Sequence, residues 1–278
     1  MIVDAHHHFW DPATADYPWL TDELAAIRRA FGPADLEPEL HANSVDATVL
    51  VQTRSSLEET EDFLARADQT PFIGGVVGWV DLTDPGVVDT IAALRDRPDG
   101  AHLVGIRHQA HDEPDPDWLV RDDVGNGIRA VGRAGLVYDL LVRSRELPAA
   151  LALARRLPDV LFVIDHIAKP PIASRELEPW ASRIAPFAEL EHVACKISGM
   201  VTESDWATWT TADLQPYVDH VVEVFGPDRL LFGSDWPVCL LAAGYDQVLE
   251  ATRTTLAGLG DDERAKILGG TAARVYRL

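Results

Sequence analysis

The stretch ATVLVQTRSSLEETEDFLARAD, residues 47–68, holds one complete strand-and-helix unit. Its first part, ATVLVQT at 47–53, is apolar and β-branched without a clean polar alternation, which indicates a strand buried on both faces of a parallel sheet. Its second part, SLEETEDFLARAD at 56–68, has the pattern of a helix. A buried parallel strand followed by a helix is the repeating unit of α/β folds.

The same unit recurs in both directions along the chain. Similar strand patterns occur at residues 2–6, 72–80, 103–108, 135–141, 160–166, 192–198 and 229–235, and further helical patterns at 145–157, 177–190 and 212–226. Eight alternations predict a (β/α)8 TIM-type barrel that forms a single domain over residues 1–278, a length close to the roughly 250 residues typical of this fold. A doubly wound open sheet is the alternative, but no glycine fingerprint follows the first strand.

One long stretch, about residues 9–45, lacks this alternation and follows the first strand. It carries the aromatic residues Trp10, Tyr17, Trp19 and Phe31. Loops of this length in compact domains are often lids or binding loops. The aromatic side chains can equally well pin the loop to the top of the barrel.

Composition excludes several classes of function. The formal net charge of −21, without a stripe of lysine and arginine, excludes nucleic acid as a partner. Cys195 and Cys239 are too far apart for a metal-knuckle pattern and are expected to be buried free thiols. No signal peptide or membrane-length apolar run is present, so we expect a cytoplasmic protein, monomeric or homodimeric, with a small-molecule substrate and no membrane partner.

Polar residues are concentrated where the predicted strands end. The set comprises His6 and His8, Arg54, Arg107 and His108, Tyr138 and Asp139, Asp165, His166 and Lys169, Lys196 and Ser198, and Ser234, Asp235 and Trp236. In a barrel the carboxyl ends of all strands meet at one mouth, where the active site lies. Nearly every strand supplies such a residue, which favours a catalytic barrel over a purely structural one.

The triplet His6-His7-His8 at the end of the first strand is expected to divide between two faces. Side chains alternate along a strand, so His6 and His8 share one face and His7 takes the other. Two imidazoles at this spacing can reach one metal ion or one substrate oxygen together. We predict that His6 and His8 face the barrel axis, where His166 and Asp235 join them, and that His7 points into packing.

Motifs along the whole chain resemble the sugar-lactonase branch of the amidohydrolase superfamily, which includes L-fuconolactonases and L-rhamnonolactonases. They are DAHHHFWDP (4–12), YPWL (17–20), VQTRSSLEET (51–60), GIRHQAHDEPDPDW (105–118), GLVYDLLVR (135–143), FVIDHIAKPPI (162–172), CKISGMVTESDW (195–206) and LLFGSDWPV (230–238). The resemblance implies a hydrolase that opens a sugar-acid lactone of the L-fucono-, L-rhamnono- or L-galactonolactone type.

The resemblance also implies a catalytic set. Asp235 is the candidate general base for a water molecule, and His6, His8 and His166 would polarise the lactone carbonyl oxygen. The same four residues match the family's metal ligands. A two-metal centre is not expected, because the seventh strand offers Lys196 in place of a histidine and the fifth has no bridging lysine. One divalent ion, zinc first, and metal-independent activity both stay open.

Substrate contacts are expected from residues beside this set. Arg54, Arg107 and Lys169 suit sugar hydroxyls or a carboxylate product, and Tyr138 and Trp236 could hydrogen-bond or stack on a sugar ring. Each of these has a structural alternative, which is pairing with nearby acids for the cations and core packing for the two aromatic residues.

Three other functions remain open. The chain could hydrolyse an aromatic-pathway lactone such as pyrone dicarboxylate or muconolactone, or it could be a metal-dependent decarboxylase. A barrel that binds a sugar acid without turnover is the non-enzymatic alternative.

Overall fold

Eight parallel strands form one sheet in which each strand pairs with the next along the chain. The computed structural model describes residues 1–278. The strands are β1 (Val3–His7), β2 (Ala47–Val51), β3 (Ile73–Gly78), β4 (Leu103–His108), β5 (Val137–Leu140), β6 (Phe162–Ile164), β7 (Val193–Ile197) and β8 (Leu230–Phe232). The helices are α1 (Pro33–Asn43), α2 (Leu57–Gln69), α3 (Val87–Arg95), α4 (Asp122–Arg133), α5 (Leu147–Arg156), α6 (Trp180–Ile184), α7 (Thr211–Phe225), α8 (Tyr245–Thr255), α9 (Asp261–Ala265) and α10 (Thr271–Tyr276). The predicted (β/α)8 barrel is confirmed.

The barrel closes between β1 and the segment that follows β8. The amide of Asp235 donates to the carbonyl of His6 at 2.8 Å, and the amide of His8 donates to the carbonyl of Trp236 at 2.7 Å. The closing seam therefore consists of the His-X-His motif and the Ser-Asp-Trp motif. Two segments from opposite ends of the chain lie side by side at the barrel mouth for this reason.

The barrel interior is built in layers. Val137, Val163, Ala194 and Leu231 belong to an apolar inner cluster, which also contains Tyr276 of α10. Because alternate side chains of a strand face the same side, the next inward position lies two residues further along each strand. On β5 that position holds Asp139, just beyond β6 it holds Asp165, and on β7 it holds Lys196, so a charged layer follows the apolar one.

The stretch at residues 9–45 is more regular than expected. It contains a 3₁₀ segment, Asp22–Ile27, and the helix α1. Pro38 lies inside α1, and only Leu36 and Leu40 of this helix are buried. Few apolar positions and an internal proline conceal the helical periodicity. The aromatic residues do pin the stretch, since the Trp10 ring lies 5.1 Å from Trp19 and 5.5 Å from Phe31.

Two further expectations concern cysteines and membranes. Cys195 and Cys239 are buried free thiols, as expected. None of the helices is long and apolar enough to span a lipid bilayer.

Candidate active site

Four ionisable side chains meet at the barrel mouth. The Nε2 atoms of His6 and His8 lie 3.2 Å apart. Oδ1 of Asp235 lies 3.4 Å from Nε2 of His8, 3.8 Å from Nε2 of His166 and 3.9 Å from Nε2 of His6. All four side chains are buried. The structure thus brings together the residues that the sequence proposed as a catalytic set.

An irregularity in the pairing of β1 determines the directions in which its histidine side chains point. The pairing of β1 with β2 shifts register between Asp4 and His7, and Ala5 packs in the inner apolar cluster while the adjacent His6 reaches the mouth. His7 points outward, as predicted, where its Nε2 lies 2.8 Å from the hydroxyl of Thr48. His7 therefore contacts β2 and packs 4.9 Å from the ring of Phe9, away from the barrel axis.

His166 and Asp235 both stand on left-handed backbone. Their φ angles are 53° and 58°, and the three residues after His166 also have positive φ. Left-handed conformations cost non-glycine residues about 1–3 kcal/mol where the surroundings enforce them. The indole of Trp180 donates to the carbonyl of Ile167 at 2.7 Å, and Nδ1 of His166 lies 2.9 Å from the Ser198 hydroxyl. These contacts hold the turn in its strained form.

Two glycines leave room for the histidines. A Cβ atom on Gly199 would lie 2.6 Å from Nδ1 of His166, and one on Gly233 would lie 2.7 Å from Cβ of His6. Both glycines come from the motifs that carry the family resemblance. Their lack of a side chain sets how closely β7 and β8 approach the imidazoles.

Asp4 fixes the closing seam and was missed by the sequence analysis. Its carboxylate accepts hydrogen bonds from the Ser234 amide at 2.8 Å, the Ser234 hydroxyl at 2.6 Å and the Tyr245 hydroxyl at 3.0 Å. Burial raises the pKa of Asp4 even though these donors oppose the shift. Ser234 is thereby a structural anchor.

A charged layer lies directly beneath the histidines. Nζ of Lys196 lies 2.6 Å from Oδ2 of Asp139, 2.9 Å from Oδ1 of Asp165 and 3.2 Å from Nδ1 of His6. Arg107 donates to the other oxygen of Asp165 at 3.0 Å, and the Tyr276 hydroxyl donates to Asp139. Two carboxylates and two cations balance one another, and Asp139, Asp165 and Lys196 are fully buried.

Burial and neighbouring charges set the protonation of the site. Burial lowers the pKa of His6 and of His166 well below the usual 6.5, so both rings are neutral at neutral pH. Burial opposes ionisation of Asp235, but His166 and His8 outweigh it and hold the pKa of this carboxyl below its ordinary value. A carboxylate thus faces neutral imidazoles.

A cavity of about 350 Å³ opens over this set. His8, His166 and Asp235 line its base, Arg107 and Lys169 reach it as predicted, and Trp19 of the long stretch forms part of its wall. Lys169 lies 2.7 Å from a carboxylate oxygen of Glu203.

Arg143 also lines the cavity and was missed by the sequence analysis. It makes no ion pair with any carboxylate of the chain, and it ends the GLVYDLLVR motif three residues beyond β5. Its position just beyond the end of a strand is the feature of the sequence from which a place at the barrel mouth could have been predicted.

Three predicted substrate residues do not reach the cavity, which corrects the sequence analysis. Arg54 pairs with Glu59 at 3.4 Å and lines a separate cleft. Tyr138 is fully buried on the outer face of β5, because Asp139 occupies the inward position, and its ring packs 6.1 Å from Phe162. Trp236 is 2% exposed and packs against Phe9 and Phe31 of the long stretch.

The histidine and carboxylate set fits one divalent metal ion. Candidate ligand atoms of His6, His8 and Asp235 all lie within 4.8 Å of one another. Nδ1 of His8 lies 2.7 Å from the carbonyl of Val51, which can only accept, so Nδ1 carries the N–H and Nε2 is the ring atom that can bind a metal ion. Two imidazole nitrogens and a carboxylate are a typical zinc donor set.

Comparisons with known proteins agree over the full length. The amidohydrolase family pattern matches residues 3–278. The chain is 39% identical to an L-fucono-1,5-lactonase of Burkholderia multivorans, with 100% of this chain and 96% of the relative covered. It is 41% identical to an L-fucono-1,5-lactonase of Burkholderia ambifaria, with 99% and 95% covered. A crystal structure of a Burkholderia multivorans amidohydrolase with bound zinc superposes with a TM-score of 0.95 at 37% identity, covering 100% of this chain and 99% of that one.

Proposed function

The chain belongs to the amidohydrolase family, and from that premise we propose that it opens the ring of a sugar-acid lactone of the L-fucono-1,5-lactone type. The observation that carries the proposal is the carboxyl group of Asp235, which lies within 4 Å of three imidazole nitrogens at the base of a cavity. The two full-length L-fucono-1,5-lactonase relatives support the choice of substrate class.

The proposed reaction needs one base and a set of donors. Asp235 accepts a proton from a water molecule whose oxygen attacks the lactone carbonyl carbon. As the ring C–O bond breaks, the protonated Asp235 returns that proton to the departing alkoxide. The product is an open-chain hydroxy acid, and atoms and charge balance without any further reactant.

The imidazoles of His6 and His166 act on the carbonyl oxygen, where negative charge develops, whereas His8 uses its N–H on the Val51 carbonyl. Donors fixed in a buried site stabilise such charge more strongly than donors in water do. A divalent ion held by His6, His8 and Asp235 would supply Lewis-acid polarisation of the same oxygen. His166 is held by Ser198, and its Nε2 lies 3.8 Å from Oδ1 of Asp235, so we assign it to the same donor set.

The cavity wall suits a polyhydroxylated ring. Lys169 and Glu203 place a donor and an acceptor side by side, and Arg143 adds a guanidinium without a protein carboxylate. Sugar hydroxyls both donate and accept, and the carboxylate product pairs well with a guanidinium. We therefore assign Arg143 and Lys169 to substrate and product binding.

A pH-indicator assay of acid release tests the function. The purified protein is expected to hydrolyse L-fucono-1,5-lactone faster than L-rhamnono- and L-galactonolactones, and to leave pyrone dicarboxylate and muconolactone unchanged. The Asp235→Asn variant is the control, and its rate of acid release gives the background of the assay. Release from the pyrone or muconolactone alone would overturn the substrate class. Binding of sugar lactones without acid release would overturn the enzymatic role.

A further inference from the structure

The cavity over the catalytic set has two chemically different sides. Because each strand pairs with the next and the segment after β8 closes on β1, the segments that follow β7, β8 and β1 are neighbours around the mouth. These three segments supply an apolar arc, which consists of Trp206, Val238, Leu241, Trp19 and Leu24. The segments that follow β4, β5 and β6 supply a polar arc, which consists of His111, Asp112, Arg143 and Lys169.

The apolar arc is continuous around its side of the mouth. The 3₁₀ segment Asp22–Ile27 packs on the 3₁₀ segment Val238–Leu241, which in turn packs on the 3₁₀ segment Val201–Glu203. Leu24 and the two ends of the middle segment are half-buried, so their side chains keep surface for a ligand. Covering such surface with an apolar group of a ligand is favourable, whereas covering it with an unpaired hydroxyl is not.

The polar side-chain atoms near the apolar arc are already engaged or out of reach. The indole N–H of Trp206 donates to the carbonyl of Thr202 at 2.9 Å, and the Thr202 hydroxyl donates to another backbone carbonyl at 2.9 Å. The indole nitrogen of Trp19 is buried, so a ligand cannot reach it. Glu203 pairs with Lys169 of the polar arc. A hydroxyl held against the apolar arc therefore meets no free side-chain donor.

The proton transfers of the proposed reaction fix how a lactone ring lies in this cavity. Asp235 returns its proton to the ring oxygen, so the ring oxygen lies on the same side of the cavity as Asp235. In a 1,5-lactone that oxygen is bonded to C5, and the substituent on C5 points to the segment after β8, where Val238 and Leu241 lie. C2 and C3 belong to the opposite edge of the ring, so their hydroxyls face Arg143 and Lys169.

We propose that the apolar arc is a subsite for the methyl group of a 6-deoxy lactone and that it selects methyl over hydroxymethyl at C5. The inference rests on the proposed function and names the substituent that distinguishes its substrates. L-fucono-1,5-lactone and L-galactono-1,5-lactone share one ring configuration and differ only in this group. A pocket without a partner for an added hydroxyl disfavours it by up to about 100-fold.

The first test compares these two lactones, freshly prepared, in the pH-indicator assay. We expect kcat/KM to be about tenfold or more higher for L-fucono-1,5-lactone. Equal values, or a preference for L-galactono-1,5-lactone, would overturn the methyl subsite and leave the lactonase function intact.

The second test does not depend on turnover. The corresponding 1,5-lactams carry an N–H in place of the ring oxygen and resist hydrolysis, so calorimetry can measure their binding to the purified protein. We expect the 6-deoxy lactam to bind about tenfold more tightly than the lactam with a hydroxymethyl group. If neither lactone is opened but this preference holds, the proposed function fails and the methyl subsite is retained. Equal affinities, or binding of neither lactam, would overturn the subsite.

Val238→Thr tests the apolar arc itself. Threonine has nearly the shape of valine and adds one hydroxyl, which can pair with a hydroxymethyl group of the ligand. We expect the ratio of kcat/KM for the L-fucono lactone to that for the L-galactono lactone to fall by about threefold or more. Val222→Thr is the matched control, because Val222 is half-buried on α7 and does not line the cavity, and it should keep the wild-type ratio.

Lys169→Met tests the polar arc. It should lower kcat/KM for both lactones by similar factors, because both carry the same hydroxyls at C2 and C3, and the ratio should stay within about twofold of the wild-type value. A ratio that changes in Lys169→Met but not in Val238→Thr would place the C5 substituent on the polar arc and overturn the proposal. If Val238→Thr does not fold, the wild-type ratio and the lactam affinities still decide.

Discussion

Replacing Gly199 with alanine should separate backbone strain from displacement of His166. Gly199 has a φ of +61°, and its added Cβ would lie 2.6 Å from Nδ1 of His166, where ordinary contacts begin at 3.4 Å. The ring must therefore move by about 0.8 Å or leave its Ser198 partner. A misplacement of about 1 Å at a catalytic group can cost about 100-fold in rate.

Gly226 offers a control at a similar φ angle. Its φ is +66°, and a Cβ there meets nothing within 4 Å. Both alanine variants should lose about 1–3 kcal/mol of unfolding free energy, because alanine resists positive φ. Only Gly199→Ala should lose activity, by about 100-fold in kcat/KM, since only it displaces a functional side chain.

Two measurements on both variants decide the matter. Thermal unfolding reports the strain, and the lactone indicator assay reports the rate. If Gly199→Ala stays within threefold of the wild-type rate, His166 does not need its observed position. If Gly226→Ala loses as much activity as Gly199→Ala, the loss comes from strain and not from the imidazole.

Three other predictions concern the same site. Asp235→Asn should lower kcat by about 10²–10⁴-fold. Its Tm should change little, because asparagine tolerates the left-handed backbone. Retained turnover in the indicator assay would show that Asp235 is not the base. Arg143→Met should raise KM about tenfold, because it removes one charge-assisted hydrogen bond to the substrate. Arg54→Met is the control and should leave KM unchanged, because Arg54 lies outside the cavity. A larger increase in KM for Arg54→Met than for Arg143→Met in steady-state kinetics would contradict the assignment. Finally, kcat/KM should stay level from pH 8 to 6, because the pKa values of His6, His166 and Asp235 are lowered and these groups gain protons only at more acidic pH. A decline in kcat/KM centred near pH 6.5 would contradict this, because it would show that the rate depends on a histidine with an unshifted pKa.

The sequence predicts the barrel because each buried strand is visible as an apolar run and is followed by a helical pattern. The seam residues His6, His8 and Asp235 could also be found, since a barrel directs strand ends to one mouth. The partner of Asp4 could not be predicted, because Ser234 lies 230 residues away and only folding joins them.

Side-chain direction accounts for the errors among the substrate residues. Tyr138 and Asp139 are neighbours on one strand, so they cannot both face the axis. The sequence does not say which one does, and the buried partners of Asp139 decide it. Arg54 fails for a different reason, because Glu59 in the first turn of α2 pairs with it and holds it outside the cavity.

The balanced charged layer constrains how this barrel can evolve. Losing one member of a buried ion pair costs about 3–5 kcal/mol, a large share of the roughly 5–15 kcal/mol that stabilises an ordinary domain. Asp139 and Lys196, paired at 2.6 Å, should therefore change together or not at all among descendants of this sequence. The same holds for Asp165 and Arg107, paired at 3.0 Å. Divergence toward new substrates is left to the cavity wall, where Arg143 can be exchanged without leaving a buried charge behind.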